Sequence, residues 1–137
     1  MHEKIQDFIL SQKVLSLGIL DDDQGVYCAS CYYAFDVKNL ALIFASHSHT
    51  KHIQLAYKYP NISANIAYDN NTLKFIKGLQ IKAIFKEATK EQEKIYFKKF
   101  AFAKFSDANL YALEIQWAKY TDNQILLNKK LEFKRCL

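Results

Sequence analysis

The apolar positions of this chain fall into short runs separated by tight polar turns, which is the pattern of a β-rich fold. Residues 13–20, "KVLSLGIL", read as a strand, 21–25, "DDDQG", as a turn with a glycine exit, and 26–35, "VYCASCYYAF", as the strand that closes the hairpin. After a turn at "DVKN", residues 40–46, "LALIFAS", form an apolar, buried strand. "NISANIAYD" (61–69) alternates as a strand does, and "NN" at 70–71 is a turn. "LKFIKGLQIKAIFKEA" (73–88) is one long strand, or two joined by a bulge at Gly78. Residues 109–123 form a strand with Tyr111, Leu113, Ile115 and Trp117 facing inward, and the tail "QILLNKKLEF" adds a short one.

Three segments carry helical spacing. Residues 2–12 place Ile5, Phe8 and Ile9 on one face. Residues 49–59 place Ile53, Ala56 and Tyr57 on one stripe, and Pro60 stops the helix. Thr89 and Gln92 have the spacing of a capping box that opens a helix running to about Lys104. About six strands linked by tight turns, with helices inserted, predict an antiparallel barrel rather than a parallel sheet.

Composition narrows the partners. The 137 residues fit a single domain, 1–137, and half of them are apolar, enough for a real core. The net charge is +5, yet every basic residue but Arg135 is a lysine. Base-reading proteins lean on the bidentate guanidinium, and no nucleic-acid-binding motif is present, so no nucleic-acid partner is expected. A mildly basic surface instead suits anionic small ligands. No run approaches the ~20 apolar residues of a membrane helix. Three cysteines without framework spacing and an N-terminus without a signal-peptide pattern are the expectation for a reduced, cytoplasmic protein.

The candidate chemistry lies in "ASHSHTKHIQL", residues 45–55. His47, His49 and His52 spell H-x-H-x-x-H, which resembles the metallo-β-lactamase-type zinc motif. That motif needs an acid where Lys51 stands, further ligands downstream and a longer chain, so no metal site is expected. A second reading makes the three histidines partly exposed residues at a helix start. In a third, a buried strand runs directly into a helix N-terminus, where free N–H groups and the dipole favour an anion. Ser46, Ser48 and Thr50 add hydroxyls there and Lys51 adds a charge. Cys28-x-x-Cys31 lies mid-strand, not at a helix start, so buried structural cysteines are expected there.

The stretches "CASCYYAFD" (28–36), "SHTKHIQL" (48–55), "KGLQIKA" (77–83) and "YTDNQILLNKKLEF" (120–133) together resemble the pyridoxamine 5′-phosphate oxidase-like FMN-binding split barrels, closest to the bacterial YhbP-like group. The resemblance covers nearly the whole chain. It implies a mainly β fold with inserted helices, a six-stranded antiparallel split β-barrel. In flavin-binding members a Ser-Arg-Lys-x-x-x-Leu stretch opens the helix and holds the FMN phosphate. Here those positions are His49, Thr50, Lys51 and Leu55. An earlier Arg-x-Val-Leu-Leu-Lys strand aligns Cys28 with its Arg and Tyr33 with its Lys, and Gln80 matches a cofactor-facing glutamine.

The resemblance therefore implies FMN as cofactor, held by Lys51, Thr50, Ser46, His49, His52, Gln80 and Tyr33, with histidines where relatives use arginine. It also implies a homodimeric flavin-dependent oxidoreductase acting on a small molecule. No catalytic acid or base follows, because the flavin itself carries the hydride chemistry. The alternatives are a non-catalytic module for FMN, haem or another anionic cofactor, or a barrel whose site is vestigial. Exposed apolar surface on a barrel of this size independently favours pairing of two copies.

Overall fold

The computed structural model describes residues 1–68, 76–122 and 130–136. The element order is α1 (Glu3–Ser11), β1 (Val14–Leu20), β2 (Val26–Asp36), β3 (Ala41–Ser46), α2 (Lys51–Lys58), β4 (Asn61–Ala67), β5 (Lys77–Glu87), α3 (Lys90–Lys99), a 3-10 turn (Ala101–Phe105), β6 (Asn109–Asp122) and β7 (Lys130–Lys134). Every strand pairing is antiparallel. The order β3-β2-β1-β4-β5-β6 closes on itself through a β3–β6 pairing, which makes a six-stranded barrel, and β7 adds a seventh strand beside β6. Closure removes the exposed edges that an open sheet of these strands would leave.

Period-two burial shows why these segments are strands. In β4 the residues Ile62, Ala64 and Ile66 are buried while their neighbours face solvent. β1 does the same with Leu15, Leu17 and Ile19. The β1–β2 turn closes with the Asp21 N–H donating to the Gly25 carbonyl at 2.9 Å, and Gln24 adopts a left-handed φ of 69°. α1 puts Ile5, Phe8 and Ile9 into the core, as their spacing predicts. α3 opens with the full Thr89–Gln92 capping box. Its α-helical part stops at Lys99 and a 3-10 turn continues to Phe105, so the helix expected through Lys104 is split in two.

Two expectations about the long strands need correction. No irregularity occurs at Gly78, which pairs regularly with Ala67 and Thr121. The bulge lies at Gln116. Lys82 faces Trp117 while the next residue, Ala83, faces Ile115, so Gln116 is the extra residue. The bulge flips the alternation of β6. Tyr111, Leu113 and Ile115 are buried before it, and Ala118 and Tyr120 after it. Trp117 is thereby turned out of the barrel. Its indole N–H donates to Glu132, and the Lys82 ammonium lies 5.5 Å from its ring centre.

Arg135 secures the same region. Its Nε donates to the Ile115 carbonyl at 2.7 Å, and Nη2 donates to the carbonyls of Asn39 at 2.9 Å and Leu40 at 3.2 Å. Leu40 has a left-handed φ of 51°. The one arginine thus ties the end of β7 to the seam where β3 and β6 close the barrel. The turn expected at residues 70–71 and the first part of the tail, residues 124–129, lie outside the described residues. Among the described residues no helix is long and apolar enough to cross a membrane.

Candidate functional site

β3 emerges from the barrel at Ser46, and four residues later the chain enters α2. The intervening turn is closed by Thr50, whose N–H and hydroxyl both donate to the His47 carbonyl, at 3.1 and 2.9 Å. That engagement leaves α2 without a side-chain cap. Helix α1, by contrast, is capped by His2 and α3 by Thr89. Without a cap the first-turn N–H groups of α2 are left to water or to an anion.

The histidines divide into two groups. His52 turns back to the strand, where its Nε2 and the Ser46 hydroxyl share a hydrogen bond of 2.7 Å. Burial lowers its pKa, so its imidazole stays neutral and orients Ser46 rather than adding charge. His47 and His49 stack on one another, with ring centres 5.5 Å apart and 25° between planes. The three rings do not converge. Among the described residues no group of three or more His, Cys, Asp or Glu side chains is placed to hold a metal ion.

Lys51 is ion-paired. Its ammonium lies 2.9 Å from the Asp21 carboxylate and 4.7 Å from the centre of the Tyr27 ring. Hydrogen bonding within the pair lowers the Asp21 pKa and raises that of Lys51. One turn residue on, Asp22 accepts from Lys58 at 2.6 Å and from the Tyr59 hydroxyl at 2.8 Å. Lys51 and Lys58 stand seven residues apart, on one side of the helix. The acidic β1–β2 turn therefore clamps α2 at both ends. In the sequence Asp21 and Asp22 stand simply as residues of a turn, and no local signal marks them otherwise, because Lys51 and Lys58 lie thirty or more positions away.

Ser46, His49, Thr50, Lys51 and His52 thus stand together at one end of the barrel. Tyr33 and Gln80 do not join them. Tyr33 is fully buried and its hydroxyl donates to the Ile9 carbonyl of α1 at 2.6 Å. Burial pushes its pKa up. Along the regular strand β2, Cys28 and Tyr33 fall on opposite faces, so the two positions cannot converge on one ligand. Cys28 is exposed, against the expectation of a buried thiol. Cys31 points inward, and burial raises its pKa to about 11. Gln80 is exposed on the outer face of β5, between Asn65 and Lys119.

Comparison with known proteins places the chain. No family model matches it. A UPF0306 protein of Campylobacter jejuni subsp. jejuni is 54% identical over 134 residues, which span 97% of this chain and 98% of that protein. The chain belongs to the UPF0306 family. A UPF0306 protein of Yersinia pseudotuberculosis is 32% identical over 135 residues, 96% of this chain and 91% of its own. Solved structures share the fold of this UPF0306 protein at low identity. A haem-binding protein from Mycobacterium smegmatis superposes with a TM-score of 0.74 at 12% identity, over 90% of this chain and 53% of that one. The UPF0306 chain therefore spans about half the length of the mycobacterial protein. A FAD-binding protein from Mesorhizobium loti gives 0.71 at 15% identity, over 84% and 87%. A pyridoxinephosphate oxidase family protein from Clostridium acetobutylicum gives 0.70 at 13%, over 96% and 92%. The fold is that of the pyridoxamine phosphate oxidase-like split barrels, the superfamily that the sequence motifs resemble.

Proposed function

We propose that this UPF0306 protein binds FMN, with the phosphate seated at the turn from Ser46 to His52, and works as a cytoplasmic homodimeric oxidoreductase. The observation that carries the reading is the uncapped start of α2, whose first-turn N–H groups lack a side-chain partner and lie beside Ser46, Thr50 and Lys51 in a split-barrel fold; Thr50 would turn its hydroxyl from the His47 carbonyl to the ligand. That donor set fits a phosphate. Lys51 supplies the charged contact by exchanging the Asp21 carboxylate for the ligand. His49 lines the turn, and His52 holds the Ser46 hydroxyl in place. A bound flavin would supply the hydride chemistry, and the chain would bind and orient it.

A dimer follows from the same picture. Gln80 stands on the outer face of the sheet, where a ligand held between two copies would meet it. The outer face also carries apolar surface, with Val26 73% and Leu20 46% exposed beside a shallow cavity of about 450 Å³. The three cysteines are free, as the cytoplasm would keep them. The second reading is haem, favoured by the stacked pair His47–His49 and by the haem-binding structural neighbour.

The test is an absorbance titration of the purified protein with FMN, with haem in parallel. FMN should bind, and Lys51→Ala should weaken it about tenfold to a hundredfold, the effect of losing one charge-assisted hydrogen bond. Equal FMN affinity in parent and variant places the phosphate elsewhere. A Soret band that His49→Ala removes, with no FMN binding, selects the haem reading.

A further inference from the structure

A second concavity lies beside the α2 turn and is of opposite character to it. It has a volume of about 340 Å³ and is lined by Tyr57 of α2, Glu87 at the end of β5, Glu93 and Phe97 of α3, and Asn109 and Tyr111 at the start of β6. Asn109 pairs with Ser46 across β3 and β6, so the concavity opens next to the turn described above. The protein carries a net charge of +5 and nearly all its cations are lysines, yet among the described residues no lysine lines this cavity, whereas two carboxylates do. Helix polarity favours an acid at Glu93, in the first turn of α3, but it places none at Glu87.

The aromatic residues behind the cavity pack against one another. Tyr111 is 1% exposed and packs on Phe85 with ring centres 5.2 Å apart. Tyr57 crosses both rings edge-on, at 5.2 Å from Phe85 and 6.2 Å from Tyr111. Its hydroxyl donates to the Glu87 carboxylate at 2.7 Å, which fixes that carboxylate against the aromatic wall. The bond raises the Tyr57 pKa to about 12, so the phenol remains a donor throughout the neutral range. Aromatic rings joined to fixed carboxylates form a site for an ammonium group with an apolar tail, through ring quadrupole, charge and contact together.

We propose that this pocket, formed by Tyr57, Phe97 and Tyr111 with Glu87 and Glu93, binds a small organic ammonium ion. The site is separate from the flavin reading and does not depend on it. Benzylammonium is a suitable probe and benzyl alcohol its uncharged counterpart, each titrated into flavin-free, nitrogen-15-labelled full-length protein and followed by amide chemical shifts. The amine should saturate, bind at least about tenfold more tightly than the alcohol, and shift the amides of residues 87, 93, 97 and 109. Glu87→Gln and Glu93→Gln should each weaken the amine about fivefold or more while leaving the alcohol unchanged. The amide that Glu87→Gln introduces still offers a carbonyl to the Tyr57 hydroxyl, so the fold is kept. Phe97→Leu should weaken both probes. Equal binding of amine and alcohol, shifts mapping elsewhere, absence of saturation, or full amine affinity in both glutamine variants would each overturn the proposal.

Discussion

Removing one oxygen atom from Tyr33 separates its structural place from its place in the flavin motif. The ring is fully buried, and its hydroxyl donates to the Ile9 carbonyl at 2.6 Å, joining β2 to the last turn of α1. Tyr33→Phe keeps the ring and its 4.8 Å approach to the Lys99 ammonium, and removes only that bond. A buried acceptor left without a partner costs about 1–3 kcal/mol. The Ile9 carbonyl keeps a weak partner in the Gln12 N–H at 3.4 Å, which places the loss in the lower half, about 1–2 kcal/mol. With about 2.1 cal/mol/K of unfolding entropy per residue, the 137-residue chain has about 0.3 kcal/mol/K in total, so Tm should fall by about 3–7 °C. Thermal unfolding followed by far-UV circular dichroism measures this, and an FMN titration of the folded variant measures the site. Stability should drop while ligand affinity stays that of the parent. An unchanged Tm, or a clear loss of FMN affinity in the folded variant, would refute the placement of Tyr33 in the core alone.

Other outcomes follow from the same geometry. Asp21→Asn frees Lys51 from its carboxylate, so FMN affinity should rise about two- to fivefold in the same titration; a decrease would show that Asp21 supports the ligand. Arg135→Lys cannot reach three carbonyls at once and should cost about 1–3 kcal/mol, read as a lower urea midpoint; an unchanged midpoint would mean that the seam closes without it. Burial raises the pKa of Tyr33, and it raises that of Tyr120 to about 12, whereas an unfolded tyrosine titrates near ~10. The folded state therefore holds protons that the unfolded state releases, and this stability is complete below pH ~10 and is lost as the pH rises through the folded values. Urea unfolding between pH 8 and 11 should show that decline, and Tyr33→Phe should decline less steeply.

Local pattern was enough for most of the barrel. Period-two burial in "NISANIA", the Thr89–Gln92 box and the stop at Pro60 are each decided within a few residues, because a strand face, a helix cap and a missing N–H are local facts. The turn "SHSHTKH" was likewise legible as a strand feeding a helix start. What the sequence could not settle was which long-range partner each group meets. The bulge at Gln116 turns Trp117 outward, and it arises from pairing with β5 rather than from any residue type in β6. Tyr33 and Cys28 share a motif but stand on opposite faces of β2, a matter of register. Lys51 reads as a free cation until the β1–β2 turn brings Asp21 to it, and Glu87 has no visible role until α2 lays Tyr57 across it. Backbone geometry acts over a few residues and so is written in their order, whereas charge pairing and cavity walls are made where distant segments close on one another, and only the closed barrel brings those segments together.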